Sequence, residues 1–350
     1  PPPPPPPPPP TPRWTHRRQR QMCIRDRARL AHSQEVDPRV HQALLQARFN
    51  WQKLTAEGFD TAEDYYRQAI ELSDSTSGEA WWGLSRVPNL RAQMGLITGE
   101  EAQAAREEPR RRALELGIDI AAQEGGFGAW SDWNFEEAER VFRRSLELDP
   151  TNSVTRVYFA HLLLYLGKEE EAVENAERAA ADDPYNSLVL GIYGQFLNFV
   201  HRYEEAEAAF RLALEREPND PISLSNFRTT YHLQGRFDEA IDVWKDYYLR
   251  ARGDSLAVEA LERGYADGGY RAALKEVGDE FVSRDDPRLN WQIATLYTRA
   301  GEVPRALDYL ELATAVRDPN MPYIIVDPIF DFLREEPRFQ ALIDTLRAAR

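Results

Sequence analysis

Acidic residue–proline pairs recur in this chain at intervals of 34 residues: Asp149-Pro150, Asp183-Pro184 and Glu217-Pro218. Twelve positions before each proline stand Ala138, Ala172 and Ala206; eight before stand Phe142, Ala176 and Phe210; five before stand Ser145, Ala179 and Ala213. A small–large–small set at i, i+4 and i+7 lies on one face of a helix. Alanine at a crossing point lets two helices approach toward the short end of the usual ~8–10 Å separation. The aromatic residue then fills the space beside that contact. Proline after the acidic residue ends one unit and is suited to open the next helix, where its missing N–H is not needed. A period of this length limits the fold more than any local propensity does, because a helical hairpin alone leaves an apolar flank uncovered and must stack on its neighbours.

The register extends beyond these three units. Tyr231, Ala240, Trp244 and Tyr247 keep it loosely; Ala294, Tyr297, Gly301, Ala306, Leu310 and Ala313 form a later unit, and Ala62, Tyr66 and Ala69 an earlier second helix. Gly167, Gly235 and Gly301 fall between first and second helices, where a left-handed cap is expected. Glu169 to Glu171, Glu204-Glu205 and Asp238-Glu239 follow, in the first turn of each second helix, where carboxylates suit the helix dipole. The period loosens between Met94 and Trp133. There Pro109 is expected to interrupt a charged helix, and Gly125 to Gly128 to form a flexible link. Near Gly264 to Gly269 the alanines slip, which predicts a shortened or tilted repeat.

The formal net charge is -15, and the first thirty residues run against it. They hold seven arginines against Asp26, so residues 31–350 carry -21. An acidic body of this kind disfavours a phosphate backbone or an anionic membrane as partner, so no direct contact with nucleic acid and no membrane insertion are expected. The longest apolar stretch, Tyr158 to Leu166, contains His161 and is well short of the ~20 residues that span a bilayer. Pro1 to Pro10 would form a stiff polyproline II rod. The following Gln21-Met22-Cys23-Ile24-Arg25-Asp26-Arg27 resembles the translation of a transposon-end adapter used in sequencing libraries, which implies that residues 1–27 are not native.

Candidates for chemistry are few. Cys23 is the single cysteine, so neither an internal disulfide nor a multi-cysteine metal site is available. The six histidines (16, 32, 41, 161, 201 and 232) form no His-x3-His or His-Glu-x-x-His pair. Gly125 to Gly128 lacks the spacing and the lysine of a phosphate loop. No Gly-x-Ser-x-Gly occurs. These readings give no catalytic residue, no cofactor and no metal. Trp81, Trp82, Trp130 and Trp133 read as core.

The small–large–small–proline offsets resemble those of the tetratricopeptide repeat family across roughly 38–317, most clearly over 135–250. The resemblance implies an all-α, right-handed superhelical solenoid of about seven to eight hairpins, preceded by a disordered segment at 1–30 and closed by a helical cap at 318–350. Within that cap, Asp327-Pro328-Ile329-Phe330-Asp331-Phe332-Leu333-Arg334-Glu335-Glu336-Pro337-Arg338-Phe339, with Arg317-Asp318-Pro319 before it, resembles the end of repeat modules in bacterial signalling proteins. Arg48-Phe49-Asn50-Trp51 and Asp132-Trp133-Asn134-Phe135 are similar to other segments of those modules, which follow winged-helix regulators, class III nucleotide cyclases or Ser/Thr kinases.

In this family first helices line a concave groove that takes a peptide or partner helix. The register implies that His161, Tyr165, Gln195, Asn198, Phe199, Thr229, His232 and Trp291 face that groove, with Tyr165, Phe199 and Trp291 as apolar anchors. The clamp that some members use for chaperone C-termini requires Lys, Asn and Arg. Val157, His161, Gly191 and Gln195 stand at those sites, so it is absent. The implied function is a non-catalytic protein-binding scaffold, with homo-oligomerisation left open. The alternative is the regulatory half of a signalling protein whose effector domain lies elsewhere. A cytoplasmic location is favoured, or a periplasmic one if a membrane anchor precedes the chain.

Overall fold

The computed structural model describes residues 37–119, 129–130 and 133–348. The proline run, the basic arm with Cys23, and the glycine link at 125–128 lie outside the described residues. Among those described there is no strand. Helices follow in antiparallel pairs: α1 Pro38–Trp51 with α2 Ala56–Leu72, and α3 Gly78–Gln93 with α4 Gly99–Glu115. After α5 Phe135–Leu148 come α6 Ser153–Tyr165 with α7 Glu169–Asp182, α8 Ser187–Phe199 with α9 Tyr203–Arg216, and α10 Pro221–Leu233 with α11 Phe237–Asp246. The chain continues through a π-helical turn, Tyr247–Arg252, into α12 Ser255–Ser283, then α13 Asn290–Ala300 paired with α14 Val303–Ala315. Two 3-10 segments, Met321–Ile325 and Pro328–Leu333, lead to α15 Pro337–Ala348.

The repeat positions form the core. Ala138, Phe142 and Ser145 on α5, Ala172, Ala176 and Ala179 on α7, and Ala206, Phe210 and Ala213 on α9 are all at most 1% exposed. In α8, Gly194 stands against the Phe210 ring, and a Cβ there would lie 2.6 Å from it; the absent side chain sets how closely the hairpin closes. First helices are capped by side chains: Ser77, Asn152, Asn186 and Asp220 each accept from the N–H three residues on. Second helices α7, α9 and α11 start at Lys168, Arg202 and Arg236 with no side-chain cap, and acidic first turns face the dipole instead. Glu171 of one such turn, and Glu177 and Glu207 further along their helices, join neighbouring second helices through Arg143–Glu171, Arg202–Glu177 and Arg236–Glu207. Pairs this exposed contribute ~0–1 kcal/mol each.

Two expectations need correction. The repeat prolines do not open helices. Pro150, Pro184 and Pro218 sit in the turns, and Asn152, Asn186 and Asp220 take the cap positions behind them. Pro109 does not interrupt its helix, because α4 runs continuously from Gly99 to Glu115 around it. Near Gly264 to Gly269, where a shortened or tilted repeat was expected, the helix is bent. Gly268 and Gly269 break α12 into two arms, with Gly269 at φ 73°, ψ -158°, a region open essentially to glycine alone.

The second hairpin meets the later part of the row. The end of α3 reaches the π turn, the 3-10 turn Pro287–Leu289 before α13 and the segment after α14: Arg252 donates to the Met94 carbonyl (2.9 Å), Arg288 to the Leu96 carbonyl (2.9 Å) and Asn320 to the Gln93 carbonyl (3.4 Å). A second core joins Val87 and Leu90 of α3 to Val157, Leu188 and Ile192 at the starts of α6 and α8. On the other side, Trp130, Trp133 and Phe135 share a core with Tyr323, Phe330, Phe339 and Leu346 of the C-terminal cap.

Candidate functional site

The inner side of the row is built from α6, α8, α10 and α13, and the chain's own C-terminal segment lies against it. His161 of α6 is 2% exposed; its Nε2–H donates to the Ile192 carbonyl at 3.0 Å. Its ring lies 5.5 Å from Phe199 and 5.9 Å from Tyr323, centroid to centroid. Burial pushes its pKa down to about 4, so the imidazole is neutral at pH 7. Phe199 is 5.6 Å from the same Tyr323 ring. Tyr165 packs 5.6 Å from Trp130 and donates its hydroxyl to the Leu346 carbonyl at 3.4 Å. Tyr165 and Phe199 therefore do not present an open surface here: both are buried, by Tyr323 and the last helix. Their aromatic character, which suggested anchors for a partner, is used by the cap.

Asn198 is also interior. It donates to the Asn226 carbonyl (3.2 Å) and accepts from Thr230 (2.9 Å), tying α8 to α10. His232 stacks on Tyr270 at 5.6 Å, and burial pushes its pKa down to about 3. The sequence placed both on the groove side of a first helix, but that periodicity does not distinguish a residue facing the groove from one turned toward the neighbouring hairpin.

Gln195, Thr229 and Trp291 are brought together, on the wall of a central cavity of about 140 Å³. Gln93 and Met94 from α3 border it on one side, and Tyr323 and Asp327 from the C-terminal segment on another. Asn226, Gln292 and Asn320 add amide groups. Three arginines also line it: Arg228 of α10, Arg252 of the π turn and Arg299 of α13. Arg299 donates to the Thr229 hydroxyl (2.8 Å) and the Thr295 carbonyl (3.1 Å). Sequence reasoning missed these arginines. The available signal was a cation beside apolar residues within a first helix, as in Phe227-Arg228 and Arg299-Ala300.

Among the described residues no three His, Cys, Asp or Glu side chains are placed to hold a metal, and no helix is long and apolar enough to cross a membrane. Asp327 is the one carboxylate on the wall; its Oδ1 accepts from the Ile329 backbone N–H at 3.0 Å, and burial raises its pKa to about 6.

No protein-family model matches the chain, and no curated protein matches it in sequence. Among solved structures it is similar to yeast Tom70, at 15% identity over 89% of this chain and 68% of that one, with a TM-score of 0.39. It is also similar to the TPR domain of P58(IPK), at 12% identity over 89% of this chain and 98% of that one, with a TM-score of 0.25. The all-α hairpin architecture stands on the packing described above.

Proposed function

We propose that the chain is a non-catalytic scaffold that holds an extended segment of a partner protein against the inner side of its hairpin row. The carrying observation is that this side already holds such a segment. Met321–Leu333, which is 3-10 helix and turn rather than α-helix, lays Tyr323 against His161 and Phe199, and Phe330 against Trp291 at 5.9 Å. A surface that accepts irregular backbone through aromatic anchors, with amides beside them, has the chemistry of extended-peptide recognition. What remains for a partner is the stretch around Gln195, Asn226, Trp291 and Gln292.

The test is selection of peptides from a displayed library on the full chain, followed by affinity measurement on variants. The combined Gln195→Ala and Trp291→Ala change is expected to weaken selected peptides at least tenfold. Tyr185→Ala, which removes a ring 68% exposed in the turn between α7 and α8, is expected to leave them unchanged. Circular dichroism confirms that both variants fold. Peptides bound equally by the inner-side variant would refute the assignment.

A further inference from the structure

We propose that the central cavity is a binding site for a small organic anion, a carboxylate or phosphate of about six to eight non-hydrogen atoms, held by Arg228, Arg252 and Arg299. It shares the cavity wall at Trp291 with the protein-binding reading, but it concerns the arginines and not the amide side chains assigned to a partner.

Charge supplies the first ground. In a chain of net charge -15, this wall carries three guanidinium groups and one carboxylate. Arg228 and Arg299 are each 7% exposed, and among the described residues neither has a carboxylate within salt-bridge distance. Asp327 acts on Arg299 only through space, and Asp254, the nearest carboxylate to Arg252 in the adjoining recess, is held by Arg284 at 2.6 and 3.0 Å. A buried cation without a counter-ion costs several kcal/mol. The Trp244 and Tyr247 rings, 3.6 and 4.0 Å from the Arg228 guanidinium, offset part of that.

Unused donors are the second ground. Arg228 keeps Nε and Nη1 without a partner, and Arg299 keeps Nε. Buried donors in folded proteins are nearly always satisfied, so these mark both guanidinium groups as under-bonded, although the atoms themselves are closed to a water-sized probe until the side chains shift. Burial lowers the Arg228 pKa to about 10, which leaves it charged at neutral pH.

The third ground is how the wall is made. The α11 helix passes into a π turn, Tyr247–Arg252, ended by Gly253 in the left-handed region (φ 64°), and this irregular turn delivers both Tyr247 and Arg252 to the cavity. Departures of this kind from α-geometry cluster at functional sites. The volume of about 140 Å³ is close to that of a protein cavity known to admit benzene, ~150 Å³. Trp291 and Ile192 offer an apolar wall for a short carbon chain, while the arginines take the charged end.

The test is isothermal titration of the full chain, in one arm with inorganic phosphate and in the other with succinate, at constant ionic strength set with sodium chloride. Saturable binding at one site per chain is expected in at least one arm, and the arm that binds more tightly identifies the head group. Arg228→Gln and Arg299→Gln are each expected to weaken it at least tenfold, with Arg299→Lys in between. Should a variant fail to fold, hydrogen exchange on the unaltered chain replaces it: the bound anion should slow exchange in α10 and α13 and leave α1 and α2 unaffected. No saturable heat from either anion means a cavity filled by water alone and overturns the proposal. Unchanged affinity in both folded variants, or protection that spares α10 and α13, does so equally.

Discussion

His201 holds the backbone at φ 60° at the point between α8 and α9 where Gly167, Gly235 and Gly301 hold φ 76°, 71° and 83° in sibling hairpins. A side chain in that region costs ~1–2 kcal/mol, partly returned here by the 2.7 Å contact between His201 Nδ1 and the Tyr203 hydroxyl. His201→Gly is therefore expected to stabilise this hairpin by ~0.5–1 kcal/mol, read as a higher denaturation midpoint. Asp318 lies buried after α14, its Oδ1 accepting from the Asn320 backbone N–H (2.8 Å) and side-chain amide (2.9 Å). Burial raises its pKa from 3.8 to about 6. Between those values the fold binds the proton more tightly than the unfolded chain. Its contribution is thus whole below pH 4 and lost as pH rises through 6. Asp318→Asn keeps the acceptor and drops the charge, so it should stabilise the chain by ~1–3 kcal/mol at pH 7 and by almost nothing at pH 4. A gain equal at both pH values would show that the carboxyl is not buried as described. At this scale the glycine caps and the core alanines were legible in the sequence, because each answers to a backbone or distance requirement. The roles of Tyr165 and Phe199 were not, since an aromatic residue on an inner face looks the same whether a partner or the chain's own cap covers it.

Among elements, second helices were the most readable, because one face of each repeats every 34 residues and the structure buries that face. The α12 region was readable as irregular but not as a bend. What decides it is Gly269, whose φ and ψ only glycine adopts readily. Gly269→Ala is expected to cost ~1–3 kcal/mol. The loss should fall on α12 and its neighbours α11 and α13, visible as faster hydrogen exchange there with α1 and α2 unchanged. Tyr323 ties the first 3-10 segment to α6 and α8, and it is 7% exposed. Tyr323→Ala removes ring contacts with Trp130, His161 and Phe199 and should cost ~3–5 kcal/mol. The difference in fluorescence between this variant and its Trp130→Phe counterpart gives a local reading among the eight tryptophans, since the Trp130 emission should shift to longer wavelength as the cap loosens. The docking of that segment left no periodic signal, because its order comes from side-chain contacts with distant helices and not from a repeat of its own.

Over the whole molecule, a row of hairpins curls until α3 touches the π turn and the segment after α14, and the C-terminal cap closes against α5, α6 and α8. The acidic exterior and the arginine-lined centre are features of this closure, and neither follows from any single repeat. Closure leaves a partly open polar cavity where an open groove was expected. The claim on which both the partner-binding and the anion-binding readings rest is that Met321–Leu333 lies docked on the inner side. Hydrogen exchange of the intact chain reads this directly at the Tyr323, Val326, Asp327 and Phe330 amides, which donate to Asn320, Tyr323, Tyr323 and Asp327. Docking predicts that these amides exchange as slowly as those in the middle of α8. Exchange at the rate of a free peptide would contradict it.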